Sequence, residues 1–265
     1  MPIDSPVAAS APTDPAVAEL AGYLERGETG PLPPPISGGR AIRLLPSWAP
    51  GLLRSAGTAA SRPLSRRKWE RIPTDGSARL HLGCGWAHKD GWVNVDLFAT
   101  SADIVWDLRH GIPLPDGSAA AIFHEHMLEH LSLRDGHLLA QECLRVLAPG
   151  GVLRIGVPDA GLCIDSYAGK ADPDWASSRP TGMLAVQALF YEHGHRSMWD
   201  GETLTRALLA AGFAEARRTD SGESWIAPCP DSEDRRDGTL YAEARKGAQP
   251  DVNAASPGRA DGAGQ

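Results

Sequence analysis

From residue 78 the chain alternates short apolar runs, each stopped by glycine, aspartate or proline, with longer stretches of helical periodicity. Arg79-Leu80-His81-Leu82 stops at Gly83-Cys84-Gly85, Trp92-Val93-Asn94-Val95 ends in Asp96, and Asp103-Ile104-Val105-Trp106 ends in Asp107. Ala119–Phe123 reads as a fourth strand flowing into a helix-like stretch at Glu125–Leu131, and Val152–Val157 as a fifth, stopped by Pro158. Short strands alternating with helices need crossover connections, so they imply α/β architecture: a parallel sheet with helices on both faces.

The helix between the fourth and fifth strands has the clearest start. Ser132-Leu133-Arg134-Asp135 resembles a capping box, with a hydroxyl at the cap and an acid near the positive end of the dipole. Leu138, Leu139, Cys143, Val146 and Leu147 are expected on its buried side, with Pro149-Gly150-Gly151 as its end. Further helices are expected over 181–191 and 200–211, the latter opened by Asp200 and closed by Gly212, and final strands over 213–219 and 238–244. An early helix fits 14–26, capped by Asp14 and ended by Gly27.

Four regions follow from composition. Residues 1–40, rich in Ala, Pro and Gly, are expected to be poorly ordered apart from that helix; 41–76 form a basic arm, 77–246 the α/β domain, and 247–265 a disordered tail. The net charge of −7 argues against general nucleic-acid binding, which needs a basic footprint on phosphates. Residues 40–71 run against that balance, with eight Lys/Arg and one acid. The mixture of basic, aliphatic and Trp residues in Ile42–Arg54 can rest weakly on an anionic membrane surface, or pack its Leu and Trp on the domain; Pro46 and Pro50 interrupt any helix there and favour packing. No apolar run reaches the roughly 18 residues of a membrane span, and the first 15 residues lack the basic start and apolar core of a signal peptide. Cys84, Cys143, Cys163 and Cys229 form no CxxC pair, so a reducing, cytoplasmic setting is expected. Oligomeric state leaves no mark in the sequence.

In open α/β sheets ligands sit beyond the carboxyl ends of the strands, near the switch in strand order. There Gly83 and Gly85 let backbone approach a ligand, Asp96 can accept from vicinal ribose hydroxyls, and Asp107 can accept from an exocyclic amine beside the apolar surface of Leu108. A turn-forming role is open to each aspartate alone; three features in order at successive strand ends point to a nucleoside.

With those residues in place, His81-Leu82-Gly83-Cys84-Gly85 and Gly91-Trp92-Val93-Asn94-Val95-Asp96 resemble motif I and the acidic loop of class I S-adenosylmethionine-dependent methyltransferases. Asp107-Leu108, Met127-Leu128-Glu129-His130-Leu131 and Arg145-Val146-Leu147-Ala148-Pro149-Gly150-Gly151 extend the resemblance over 77–246, toward the small-molecule branch often linked to polysaccharide or lipid-linked sugar pathways. The resemblance implies a Rossmann-like seven-stranded sheet with its last strand antiparallel, and S-adenosylmethionine as cofactor. It also implies a small-molecule acceptor, such as a hydroxyl of a sugar or secondary metabolite. Gly83 and Gly85 would admit the methionine part, Asp96 the ribose, Asp107 and Leu108 the adenine, and Glu125 would line the methionine end. His81 stands where the family usually has an acid, Ala87 where it has a third glycine, and Ala120 or Ala121 where it has a fourth-strand acid. Only 13 residues separate Gly83 from Asp96, so the first helix should be very short or absent. The acceptor pocket is expected from the element after the fourth strand and from the insert before residue 200, which holds Tyr167, Trp175, Tyr191, His193, His195 and Trp199. His130 is the expected proton acceptor, with His195 the runner-up and His126 one turn away.

Three rivals remain. A nicotinamide oxidoreductase needs G-x-G-x-x-G, yet position 88 is His and the acid comes too early. His126-Met127-Leu128-Glu129-His130 spells the inverted zincin motif, but the strand and helix order around it is that of the methyltransferases, so no metal is assigned. A non-catalytic partner or scaffold on the same fold is kept open by the departures in motif I, and opposed by the acids at 96 and 107.

Overall fold

The computed structural model describes residues 62–97, 101–171, 179–191 and 193–248. The helix expected at 14–26, the Ile42–Arg54 segment, Trp175 and the tail beyond 248 lie outside the described residues.

Seven strands form one sheet in the order β3-β2-β1-β4-β5-β7-β6. They are β1 (Ala78–Leu82), β2 (Val93–Asp96), β3 (Ile104–Val105), β4 (Ala119–Glu125), β5 (Leu147–Pro158), β6 (Glu215–Thr219) and β7 (Thr239–Arg245). Strands β1 to β5 pair in parallel, and β7 runs antiparallel to both β5 and β6. The order reverses between β1 and β4, and in such sheets that switch point is where a ligand crevice opens. The strands are apolar on both faces because both faces are covered: Leu80, Leu82, Val95, Ile122, Leu153 and Leu240 have no more than a trace of exposed surface.

Five helices flank the sheet among the described residues: α1 (62–69), α2 (Leu133–Val146), α3 (Ala160–Tyr167), α4 (Gly182–Tyr191) and α5 (Gly201–Ala210). Helix α2 starts as its capping box predicts: Ser132 Oγ accepts from Asp135 N at 3.1 Å and donates to the Asp135 carboxylate at 2.8 Å. Its buried stripe is Gly136, Leu139, Cys143 and Val146; Leu138, one position off that spacing, is exposed. Each fully buried Leu or Val contributes roughly 1.5–3 kcal/mol, so this stripe fixes the helix against the sheet. The helix ends at Val146; Leu147, expected on it, and Pro149-Gly150-Gly151, expected as its terminator, already belong to β5. Asp159 and Asp200 cap α3 and α5 in the same way, accepting from Leu162 N and Thr203 N.

Two local departures shape the crevice. No helix joins β1 to β2. A buried amide takes its place: Asn94 accepts from Lys89 N at 2.9 Å and donates to the Lys89 and Trp92 carbonyls at 3.0 Å each. The helix expected at Glu125–Leu131 is likewise absent. Strand β4 runs on through His124 and Glu125, which pair with Ile155 and Gly156, and His126 then takes a left-handed backbone (φ 52°) that breaks the run before a single 3-10 turn at Leu128–His130.

The end of the basic arm packs on the sheet. Trp69 is buried edge-on against Trp106 at 6.4 Å, Ser65 Oγ donates to Val105 O at 2.7 Å and Lys68 Nζ to Asp103 O at 2.6 Å. This helix covers the short edge strand β3, which would otherwise offer unpaired backbone groups. None of the described helices is long and apolar enough to cross a membrane.

Candidate active site

The carboxyl ends of β1 and β2 are tied together. Gly83 N and Cys84 N both donate to Val95 O, and Gly85 N donates to Asp96 Oδ2 at 2.8 Å. Gly83 and Gly85 both have positive φ (66° and 52°), which L side chains rarely adopt. Their surroundings differ. A Cβ at Gly83 would fall 2.2 Å from Met127 Cγ, whereas one at Gly85 would meet nothing within 4 Å among the described residues. Gly83 is therefore needed for packing, and Gly85 leaves open space next to a carboxylate that is 9% exposed. Such a cradle fits a nucleoside whose ribose hydroxyls donate to Asp96.

Asp107 sits where β3 gives way to a 3-10 turn, which it caps through Arg109 N. Hydrogen bonds from the Arg109 guanidinium, at 2.6–3.2 Å, hold this carboxyl below its ordinary range against the opposing effect of burial. Leu108 follows it, half-buried against the core. Asp107 can take an exocyclic amine only by sharing oxygens with Arg109.

Two residues assigned to the cofactor are placed elsewhere. His81 is buried on the sheet, donating from Nδ1 to Asn94 Oδ1 at 3.0 Å and stacked on Phe123 at 5.2 Å; burial pushes it down to about 4. Glu125 accepts from Tyr241 Oη at 2.7 Å and Ser232 N at 3.2 Å, joining β4 to β7 and the loop before it. Both side chains spend these hydrogen bonds on the protein itself rather than on Gly85 or Asp96.

The three expected acceptor-side histidines do come together, around a residue to which the sequence gave no role. Glu129 is 1% exposed, and its oxygens have no hydrogen-bond partner among the described residues. His126 Nδ1 lies 3.5 Å and His130 Nε2 4.0 Å from Glu129 Oε1. The rings of His130 and His195 stand edge to face at 5.1 Å. Burial pushes Glu129 up to about 8, His126 and His195 down to about 4, and His130 below its usual value. The histidines are thus neutral near pH 7, and the loop carrying His195 is held by Arg196 N and Ser197 N, which donate to Glu129 O. Met127 links this cluster to the cradle, because it follows His126 in the chain and packs on Gly83.

The aromatic residues expected to line the pocket are dispersed. Tyr167 and Tyr191 are exposed, Trp199 is buried with its indole donating to Ser197 Oγ at 3.0 Å, and only His193, itself exposed, lies beside the cluster, its ring 5.7 Å from that of His195.

A family model described as a methyltransferase domain matches residues 60–215, more than half of the chain. The chain belongs to this methyltransferase family. A probable S-adenosylmethionine-dependent methyltransferase of Mycolicibacterium smegmatis is 40% identical over 57 residues, or 20% of this chain. That match spans about a fifth (21%) of the relative's length. Among solved structures, an S-adenosylmethionine-dependent methyltransferase of Archaeoglobus fulgidus is similar over 73% of this chain and 94% of its own, with 15% identity and a TM-score of 0.43. Another from Mesorhizobium loti covers 71% and 98%, with 22% identity and a TM-score of 0.39.

Within this methyltransferase the two halves of the site were not equally easy to foresee. The cradle residues end strands, so their positions follow from the order of elements. Glu129 lay in view inside H-x-x-E-H, but its burial comes from the 195–199 segment folding over it, a contact between residues 60 or more apart.

Proposed function

We propose that this chain transfers a methyl group from S-adenosylmethionine to a hydroxyl oxygen of a small molecule, a sugar or secondary metabolite. The observation that carries the reading is the junction at Met127: an open glycine cradle with a ribose-type carboxylate on one side, neutral histidines around a buried carboxyl on the other. Gly85 and Asp96 would hold the nucleoside, with Asp107 and Leu108 beside the base. When bound, S-adenosylmethionine supplies an already activated methyl group, so the protein's task is mainly to align the acceptor and take its proton.

His130 is the residue we place against the acceptor hydroxyl. Its side chain is 44% exposed, the most accessible of the pair beside Glu129, and as a neutral imidazole it can accept a proton. His195 and His126 border the same space. The net charge of −7 favours a neutral or cationic small acceptor over nucleic acid, and a cytoplasmic setting with weak membrane contact through 40–71 accords with the cysteines and the basic arm.

The reading is tested by calorimetry with S-adenosylhomocysteine and, separately, NADH. One equivalent of S-adenosylhomocysteine and no NADH should bind; a folded chain that binds only NADH, or neither, overturns it. Once an acceptor is found, His130→Ala should lose about 10²–10⁴-fold in rate with cofactor affinity retained.

A further inference from the structure

The buried oxygens of Glu129 have no hydrogen-bond partner among the described residues, although three imidazoles surround them. Thr239 Oγ1 donates to Arg235 O, so it must accept from His126 Nε2 at 2.8 Å; the lone pair of neutral His126 is then on Nδ1, facing Glu129 Oε1. His195 Nδ1 donates to Leu189 O at 2.5 Å, which leaves its lone pair on Nε2. His130, as a neutral imidazole, keeps one ring nitrogen as an acceptor. The Glu129 oxygens and a ring nitrogen each of His130 and His195 therefore lie close together, and no hydrogen bond reaches the Glu129 oxygens among the described residues. Such a set is satisfied either by a proton on Glu129 or by a bound cation.

We propose that Glu129, His130 and His195 bind one divalent transition-metal cation of the zinc type, with an open position for the acceptor's oxygen. The ligand atoms of these three residues already lie within 4.8 Å of one another. A tetrahedral zinc with bonds of about 2.0–2.1 Å spaces its ligands about 3.3 Å apart, so each pair must close by no more than about 1.5 Å. The half-exposed His130 and the loop-borne His195 can make that adjustment. Two imidazoles and one carboxylate suit zinc, cobalt or ferrous iron, whereas magnesium prefers oxygen ligands and keeps its waters. His195 is oriented by the Leu189 carbonyl, as metal-bound histidines usually are. The left-handed backbone at His126 turns the chain out of β4, so that Glu129 and His130 face His195 rather than following the strand.

The place given to the acceptor rests on the methyl-transfer reading; the cation site does not. In the loaded protein His130's lone pair is spent on the cation. A cation held there would lower the pKa of the acceptor hydroxyl, whose proton would pass to water and whose oxygen would then take the methyl from the sulfonium, leaving the neutral thioether.

The test uses the full chain after chelator treatment, titrated in turn with Zn²⁺, Co²⁺ and Mg²⁺ by calorimetry, with the visible spectrum of Co²⁺ as a second readout. One equivalent of Zn²⁺ or Co²⁺ should bind, with d–d bands of mixed nitrogen and oxygen ligation, and Mg²⁺ should bind far more weakly. Glu129→Gln and His195→Ala should each weaken Zn²⁺ binding at least about 100-fold while S-adenosylhomocysteine affinity stays within threefold. Should Glu129→Gln fail to fold, His130→Ala and His195→Ala, on accessible side chains, carry the same comparison. No uptake of Zn²⁺ or Co²⁺ by the folded chain would mean that a proton on Glu129 fills the gap and would overturn the proposal, as would uptake that survives these substitutions. Cation uptake without S-adenosylhomocysteine binding would support the site and sink the methyl-transfer reading; the reverse would sink the site alone.

Discussion

Asp96→Ala probes the cofactor cradle at its most buried charge. In the folded protein Asp96 Oδ2 accepts from Gly85 N at 2.8 Å, on a carboxylate that is 9% exposed. A ribose diol would add hydrogen bonds to the same group. Bonds to a charged acceptor contribute about 1.5–3 kcal/mol each, and about 1.4 kcal/mol is a factor of ten. Losing even one should weaken S-adenosylhomocysteine by about 10- to 150-fold. The substitution also removes the partner of Gly85 N–H, so about 1–3 kcal/mol of stability should go with it. Asp96→Asn separates the two effects: its amide oxygen can still accept from Gly85, and a rotating hydroxyl can accept from its NH₂. Asn should therefore keep most of the stability and show an intermediate affinity. The assay is calorimetry under conditions where urea denaturation shows each variant to be folded. Affinity within threefold of wild type in folded Asp96→Ala would refute the assignment.

Three further outcomes follow from the packing. Gly83→Ala meets both a positive φ and Met127 Cγ at 2.2 Å, so it should cost more than the roughly 1–2 kcal/mol of backbone strain expected for Gly85→Ala; equal melting temperatures for the two variants would contradict this. Arg154 has no exposed side-chain surface and pairs with the buried Asp231 and Glu243, so Arg154→Met should cost about 3–5 kcal/mol in urea denaturation, and a loss under 1 kcal/mol would show that the network carries little of the fold. Burial pushes His124 down to about 3, so between pH 6.5 and 3 only the unfolded chain binds its proton, and the folded state loses roughly 1 kcal/mol per pH unit as pH falls. His124→Leu should therefore gain on the wild type by about that amount per unit from pH 6 to pH 4; a difference independent of pH would exclude a buried neutral histidine.

What the sequence made legible was whatever local chemistry decides. The capping box at Ser132, the Asp200 cap before α5 and the glycine stop after β1 are each written within a few residues, and they fix the order of elements. The absent first helix was legible from the 13 residues between Gly83 and Asp96. What escaped is set by partners distant in sequence. His81 reads as a substitute for a motif acid until the register Leu82↔Val95 puts it beside Asn94. Glu125 reads as a rim residue until β7 brings Tyr241 to it. Leu138 fits an apolar count but not the spacing of Gly136, Leu139, Cys143 and Val146. The stretch after β4 has helical composition, yet pairing with β5 extends the strand by two residues and a left-handed His126 follows. Nothing in the local pattern signals that turn.

The most direct measurement is a crystal structure of the chain with S-adenosylhomocysteine. It should show the ribose hydroxyls on the Asp96 carboxylate, backbone of the Gly83–Gly85 turn against the amino-acid part, and the sulfur facing the turn that carries His126 and His130. A nucleoside bound away from Asp96, or a sulfur pointing away from the histidine cluster, would contradict the account.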